Sequence, residues 1–315
     1  MKAVGGYFGL ELNNGDHYHK NAIALNTGRN ALEYIIKAKQ YKKIYIPYFT
    51  CDVLFEPINK WKVDYSFYHI DENFEPIFDW NKLKDDEAFL YTNYFGLKDE
   101  YINNISHVKN VIIDNAQAFY AKPVKNLPTF YSARKFFGVP DGAYLYIDDA
   151  LSESLPKDVS YNRFSHLLMR QDLSAEQGFS NFQANDKLLD NQPILKMSNL
   201  TSQLLKGIDY DLIASKRKTN FDYLHQHLSS INKLNFLRND NVVPMVYPFY
   251  SDKVGLREQL LNNKIYCAIY WKSVLDFVEC NTLEAKFVNQ IFHLPIDQRY
   301  GVNELDRIIQ LIKSA

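Results

Sequence analysis

A carboxylate and a lysine twenty-one positions further on are the residues of this chain whose types and spacing could do chemistry. Asp114 ends the apolar run at 111–113, which is typical of a buried strand in a parallel sheet. Lys135 is followed by a turn with glycines at 138 and 142. The aromatic residues around it are Phe130, Tyr131, Phe136 and Phe137. Such rings would exclude water, disfavour the charged amine and favour a nucleophilic lysine that attacks a carbonyl.

Ligands of open α/β sheets bind beyond the carboxyl ends of the strands, so we expect Asp114 at the mouth of a crevice. A carboxylate there and an apolar lysine nearby are what pyridoxal phosphate (PLP) requires. The lysine forms a Schiff base with the cofactor, and the acid keeps the pyridine nitrogen protonated. Taken alone, the two residues could equally be a helix-capping aspartate and a surface lysine.

The order of two short motifs carries more information than either residue alone. The sequence has Asp-Asn-Ala-Gln at 114–117 and then Ser-Ala-Arg-Lys at 132–135. In this order the stretch resembles the DegT/StrS-type sugar aminotransferases, which are fold-type-I PLP-dependent enzymes. The resemblance implies that Lys135 carries PLP, that Asp114 pairs with its ring nitrogen and that Gln117 holds its phenolic oxygen. It also implies that Ser132 contacts the cofactor phosphate.

A helix start at 27–32, Thr-Gly-Arg-Asn-Ala-Leu, is the second candidate for phosphate binding. Free backbone N–H groups and the helix dipole favour an anion there, although an ordinary capped helix has the same pattern. The segment resembles the family's phosphate-binding Ser-Gly-Thr-X-Ala-Leu, which implies that Thr27 and Gly28 bind the cofactor. Arg29 replaces the family's threonine, and it could clamp the phosphate or contact the substrate instead.

Two further positions are candidates that the resemblance supports less closely. Cys51 stands where the family usually carries the aromatic ring that stacks on the cofactor, so Tyr48, Phe49 or Tyr94 could cover the ring instead. A core cysteine is the alternative interpretation of Cys51. Asn199 is the candidate for the asparagine with which family members reach the cofactor of the partner subunit.

Strand and helix patterns alternate over 26–150, which predicts a doubly wound α/β fold. We expect strands at 43–47, 63–70, 88–94 and 111–113, and a returning strand at 143–148 that is antiparallel in this fold type. The resemblance implies the fold of the fold-type-I PLP transferases, with a mostly parallel sheet flanked by helices and a smaller α+β C-terminal domain. The predicted divisions are an N-terminal arm at 1–24, a large PLP-binding domain at 25–207 and a small domain at 208–315. The large domain includes an active-site loop region at 151–200 and then a long helix.

The C-terminal part has weaker signals. Residues 208–228 predict a charged helix, whose triplet Lys216-Arg217-Lys218 we interpret as a solvated face. Strands are expected at 245–250 and 265–269, with a helix at 256–263 between them. Asn303 is the expected cap of a last helix that has one apolar face. That face consists of Leu305, Ile308, Ile309 and Ile312.

Composition limits the partners. Lysine plus arginine is 36 and aspartate plus glutamate is 37, so no basic surplus predicts binding to nucleic acid or to an anionic membrane. The three cysteines lack metal-site spacing and indicate a reducing compartment, and no metal is expected. No run approaches the roughly 18 apolar residues that a membrane span needs, and the first residues lack a signal-peptide core. We expect a cytoplasmic protein.

The resemblance implies an aminotransferase that moves an amino group, from glutamate by analogy, to the keto group of a nucleotide-linked sugar in polysaccharide or amino-sugar biosynthesis. It also implies a homodimer, with 151–200 crossing between the subunits. One alternative is a PLP-dependent sugar dehydratase or deoxygenase, although such members usually carry histidine where Lys135 stands. The other is a non-catalytic regulator of the same fold.

Overall fold

The computed structural model describes residues 4–236 and 239–314. Its strands are β1 (Ile23–Leu25), β2 (Lys43–Pro47), β3 (Asp64–Ile70), β4 (Pro76–Ile77), β5 (Glu87–Thr92), β6 (Val111–Asn115), β7 (Thr129–Ser132), β8 (Ala143–Tyr146), β9 (Tyr247–Tyr250) and β10 (Ile291–Leu294). Its α-helices are α1 (Gly28–Lys39), α2 (Phe55–Lys60), α3 (Asp99–Asn104), α4 (Ser165–Asp172), α5 (Phe179–Leu188), α6 (Asn199–Lys206), α7 (Tyr210–Leu228), α8 (Leu256–Asn262), α9 (Leu283–Gln290) and α10 (Val302–Ser314). None of the helices within these ranges is both long and apolar enough to cross a bilayer.

Eight strands form one sheet in the order β1-β8-β7-β6-β5-β2-β3-β4. The five strands from β7 to β3 in this order run parallel, and β8, β1 and β4 pair antiparallel at the two sides. The parallel strands are buried because residues on both of their faces pack against other elements. In β6, Ile112 belongs to the core on the α1 face, whereas Val111 and Ile113 belong to the core on the opposite face.

The residues after α6 form what we call the C-terminal unit, residues 208–314. Its two strands, β9 and β10, pair antiparallel, and α7, α8 and α10 pack with them around a separate core. This core includes Phe221, Leu224 and Leu228 on one face of α7. The unit is the smaller α+β part that the sequence predicted, and the predicted fold class is confirmed.

The pattern-based predictions are accurate where one apolar face repeats over a full element. β2, β3, β5 and β6 begin and end within two residues of the predicted strands, and β8 is antiparallel to β7 as expected. The four apolar residues predicted for the last helix are all buried in α10. The predicted helices at 208–228 and 256–263 correspond to α7 and α8.

Three predictions about elements are wrong. Residues 151–206 contain three short helices, α4, α5 and α6, and no long helix. Residues 265–269, all of them described, are irregular, because β9 takes β10 as its antiparallel partner instead. Asn303 lies inside α10, which begins at Val302, and Glu304 Oε2 accepts the backbone N–H of Gly301 there (2.8 Å).

Candidate active site

The end of β6 buries a carboxylate at the edge of the sheet. Asp114 is 5% exposed, and its Oδ1 accepts the backbone N–H of Ala116 (2.8 Å). Burial raises the pKa of the Asp114 carboxyl, while the nearby charge of Lys135 and the Ala116 hydrogen bond oppose that rise. The structure therefore brings Asp114 and Lys135 within electrostatic reach of each other.

Lys135 lies on the 3-10 turn at Ala133–Lys135, directly after β7. The expectation that aromatic rings desolvate this lysine is wrong: the side chain is exposed, whereas Phe130, Tyr131, Phe136 and Phe137 are all buried. The physical reason is the turn geometry. Ala133 and the rings face the core, so the turn directs the lysine away from them.

Gln117 has a buried donor with no partner among the described residues. Its Oε1 accepts the backbone N–H of Phe95 (2.8 Å), and this bond fixes the orientation of the amide. Its Nε2 is buried and unpaired within residues 4–236 and 239–314. A buried unpaired donor costs about 1–3 kcal/mol, so it indicates a position at which a ligand oxygen would accept a hydrogen bond.

The start of α1 lies beside the end of β7. Thr27 is the N-cap, and its Oγ1 accepts the backbone N–H of Asn30 (3.2 Å). A Cβ added at Gly28 would lie 3.9 Å from the Cβ of Ser132 and from the Phe130 ring. The first turn of α1 and Ser132 thus form one corner, where free N–H groups and the helix dipole favour an anion.

The Arg29 guanidinium is already paired with carboxylates of the chain. Its Nη1 donates to Glu56 Oε2 (2.6 Å) and to Asp190 Oδ1 (2.5 Å), and the side chain is largely buried. Two carboxylates already neutralise this guanidinium. The contacts favour a structural role, fastening α1 to α2 and to the end of α5, over the predicted phosphate clamp.

Cys51 lies within electrostatic reach of Lys135 and Asp114, so the segment after β2 reaches the same space. Burial raises the pKa of its thiol. The proposed replacement rings do not present a free face: Phe49 and Tyr94 are fully buried, and Tyr48 stacks on Phe67 with 4.4 Å between centroids.

Asn199 begins α6 and is exposed, with its Oδ1 accepting Nζ of Lys157 (2.7 Å). A contact with a partner subunit therefore stays a prediction. Two other cations belong to this part of the sequence: Arg134 is paired with Asp186, and Lys122 is exposed.

Residues 133–142, which we call the lysine turn, are held by groups that sequence reasoning missed. Asp141 is fully buried, and it accepts Nε (3.0 Å) and Nη2 (2.5 Å) of Arg163 and Oγ1 of Thr201 (2.6 Å). These donors come from the middle segment, whose polar composition gave no specific signal. On the other side the carbonyl of Phe136 accepts a hydrogen bond from the C-terminal unit.

The residues at this edge fit PLP by their chemistry. At the ring end there are an amine, a buried carboxylate and a buried amide N–H with no partner in the described part of the chain. At the phosphate end there are the first turn of α1 and the Ser132 hydroxyl.

Several solved structures have this architecture. DesV from S. venezuelae, in complex with a ketimine intermediate, matches with a TM-score of 0.65 and 13% identity, over 96% of this chain and 85% of that one. A DegT DnrJ EryC1 StrS aminotransferase from Brucella abortus matches with a TM-score of 0.63 and 15% identity, over 93% and 85% of the two chains. A mutant of GDP-4-keto-6-deoxymannose-3-dehydratase (ColD), with bound GDP-perosamine, matches with a TM-score of 0.59 and 16% identity, over 92% and 88%.

No protein-family model matches the chain, and no curated protein matches it in sequence. At these identities the structural likeness establishes the fold. The chain has the fold of the sugar aminotransferases, as the resemblance of its motifs predicted.

Proposed function

We propose that this protein is a PLP-dependent aminotransferase that acts on a keto sugar. The observation that carries the proposal is the position of Asp114, which is buried at the carboxyl end of β6 and lies within electrostatic reach of Lys135 on the turn after β7. The unpaired Nε2 of Gln117 beyond the same strand supports it. The fold shared with DesV and with the Brucella abortus aminotransferase agrees with it.

Each residue has a distinct task in this proposal. Bound PLP supplies a conjugated ring that takes up the electrons left when a substrate C–H bond loses its proton. Lys135 binds the cofactor aldehyde through its Nζ, and after displacement the same nitrogen accepts and returns a proton. Asp114 holds a proton at the ring nitrogen, and Gln117 donates through Nε2 to the phenolic oxygen.

The phosphate is held by backbone N–H groups in the first turn of α1 and by Ser132. Arg29 contributes indirectly, because its ion pairs with Glu56 and Asp190 fix the position of that turn. A sugar nucleotide as the amino acceptor and glutamate as the donor remain parts of the proposal that rest on the family resemblance.

Borohydride reduction of the PLP-loaded protein, followed by peptide mapping, tests the cofactor assignment. The pyridoxyl label is expected on Lys135. A label on Lys122 or Lys125, two exposed lysines after β6, would overturn the assignment. A half-reaction with glutamate, followed by the change in visible absorption, then separates a transaminase from a non-catalytic regulator.

A sugar dehydratase is the second candidate, because the ColD structure shares the fold. Lys135 argues against it, since dehydratases that resemble this family usually carry histidine at that position. Release of the amine from a glutamate-loaded protein to a keto sugar, with no loss of a sugar hydroxyl, would support transamination. Loss of the hydroxyl would support dehydration.

We also propose that the protein is a homodimer in which residues 151–200 contact the second copy. This segment exposes large apolar side chains that a partner would cover. Those that are at least half exposed are Val159, Tyr161, Leu168, Leu173, Phe179 and Leu188. Light scattering should give twice the chain mass, and a monomer that is fully active at nanomolar concentration would contradict the shared site.

A further inference from the structure

The backbone carbonyl of Phe136, the residue directly after Lys135, is a contact point for the C-terminal unit. It accepts Nε2 of Gln298 (3.0 Å) and Nη2 of Arg217 (3.4 Å). Both donors lie in the C-terminal unit, whereas the lysine turn follows a strand of the large sheet. The backbone directly after the predicted cofactor lysine is therefore held from outside its own sheet.

The same guanidinium is connected to Gln117. Arg217 Nη1 donates to the carbonyl of Met245 (2.9 Å), and the Met245 N–H donates to the carbonyl of Phe95 (2.8 Å). The Phe95 N–H in turn donates to Gln117 Oε1 (2.8 Å), which leaves Nε2 of that amide free to bind a ligand. One buried cation thus links the lysine turn to the other predicted cofactor contact.

The backbone at Phe95 and Gly96, which is part of this hydrogen-bonded connection, has an unusual conformation. Phe95 has a φ of 59°, in the left-handed region that non-glycine residues rarely adopt. Gly96 follows with a φ of 73°, and a Cβ there would lie 3.0 Å from the carbonyl oxygen of Gln117. A strained residue of this kind persists where surrounding contacts fix it, and here its N–H orients the Gln117 amide.

Burying the charge of Arg217 at this position is unfavourable in free energy. It is 2% exposed, its hydrogen-bond partners are backbone carbonyl oxygens, and its guanidinium lies over the Phe136 ring with 4.6 Å to the centroid. Simple core filling would be achieved at lower cost by an apolar side chain of similar volume. The charge is therefore explained by the carbonyl groups that it holds.

We propose that Arg217 is a positioning residue, which fixes the lysine turn and the Gln117 amide relative to each other through the Phe136 and Met245 carbonyls. Gln298 supports only the lysine-turn side of this arrangement. The C-terminal unit thereby sets the geometry between the amine and the donor to the phenolic oxygen. The inference rests on the proposed function, in which these two groups contact one cofactor.

Hydrogen exchange in the cofactor-free chain tests the positioning role. In Arg217→Met, the amides of the lysine turn and of residues 94–97 should both lose protection, by about tenfold each. In Gln298→Met, the loss should be confined to the lysine turn. Arg257→Met is the matched control, since Arg257 also donates to a carbonyl, of Asn289, and lies over a phenyl ring, of Phe292. It should leave both segments protected.

The PLP-loaded protein gives a second readout. In Arg217→Met the pH midpoint of the visible band should shift and the cofactor Kd should rise by about tenfold, whereas Arg217→Lys, which keeps one donor, should recover part of both. Unchanged exchange at both segments in Arg217→Met would overturn the inference, as would an identical pattern in Gln298→Met. If Arg217→Met does not fold, Arg217→Lys decides the question: a partial loss of protection at both segments supports the inference, and unchanged protection at both overturns it. Changed exchange without any PLP label on Lys135 would overturn the proposed function and leave the hydrogen-bonded link intact.

Discussion

The polar side chains at the two ends of the candidate cofactor site, the end of β6 and the start of α1, have different roles. At the end of β6, Asp114 is buried beside a lysine charge, and Gln117 keeps a buried donor unpaired within the described residues. At the start of α1, Thr27 caps the helix and Arg29 is neutralised by two carboxylates. The ring end therefore offers side chains to a ligand, whereas the phosphate end offers backbone N–H groups on a helix that its own side chains hold in position.

This difference has a physical reason. A developing or delocalised charge on a ring needs groups of defined protonation, which only side chains supply. A phosphate is a constant anion, and a helix N-terminus satisfies it without further charge. Substitutions at the ring end should therefore affect mainly the reaction or the binding of the cofactor, and substitutions at the phosphate end should affect mainly stability.

The largest effect is expected for Asp114→Asn. The amide can still accept the Ala116 N–H, so the chain should fold and bind PLP, but it cannot keep the ring nitrogen protonated. The glutamate half-reaction should slow by at least about a hundredfold. Asp99→Asn is the control, because burial also raises the pKa of Asp99, which instead bonds to Asn93. A near-normal rate in Asp114→Asn would exclude Asp114 as the ring-nitrogen partner.

The same variant should affect the stability of the cofactor-free chain in the opposite direction. Since burial raises the folded-state pKa of Asp114, the folded chain loses stability as the pH rises from the unfolded value of about 4 through the folded value. Asp114→Asn removes this loss, so urea unfolding at pH 7 should show a higher free energy of unfolding. A lower one would mean that the carboxylate stabilises the fold.

Arg29→Met should be the main stability variant. It leaves Glu56 and Asp190 without their shared cation, and because Asp190 is half exposed we expect a loss of about 2 kcal/mol in the free energy of unfolding. The cofactor Kd should change by less than about threefold. Arg134→Met, which breaks a single pair with Asp186, should cost less. A large loss of PLP affinity at unchanged stability would instead support the prediction that Arg29 binds the cofactor phosphate.

Gln117→Glu should weaken cofactor binding by about tenfold, because the isosteric carboxylate keeps the acceptor for the Phe95 N–H and removes the unpaired donor. Fluorescence titration with PLP measures the change, and thermal unfolding checks that the fold is kept. Binding as tight as in the unchanged chain would show that the Nε2 group faces no cofactor atom.

Thr27→Ala should have the smallest effect, a loss of about 1 kcal/mol in the free energy of unfolding through the missing cap. Thr282→Ala, which removes the cap of α9, is the matched control and should cost about the same. The two variants should differ little in cofactor affinity. A specific loss of PLP binding in Thr27→Ala would mean that its hydroxyl contacts the phosphate directly.

The sequence located the buried strand-end carboxylate of the proposed ring end because the signals there are local. An apolar run that ends on Asp114 predicts a buried strand with its carboxylate at the edge, and the antiparallel strand after the lysine turn followed from the same family pattern. The spacing between motifs did not say which way Lys135 points. That direction depends on which residues in and after the 3-10 turn face the core. The apolar rings of Phe136 and Phe137 are buried there, and Lys135 is directed outward.

Long-range pairing decided the rest. Arg217 belongs to a basic triplet that we interpreted as solvated, yet it is buried, because α7 directs the face of Arg217, Phe221, Leu224 and Leu228 inward. The helical spacing of these four residues was visible in the sequence, but we interpreted the basic triplet as solvated because of its charge. Only the tertiary structure brings the Phe136 and Met245 carbonyls to the guanidinium, and a buried cation is stable only where such acceptors meet it.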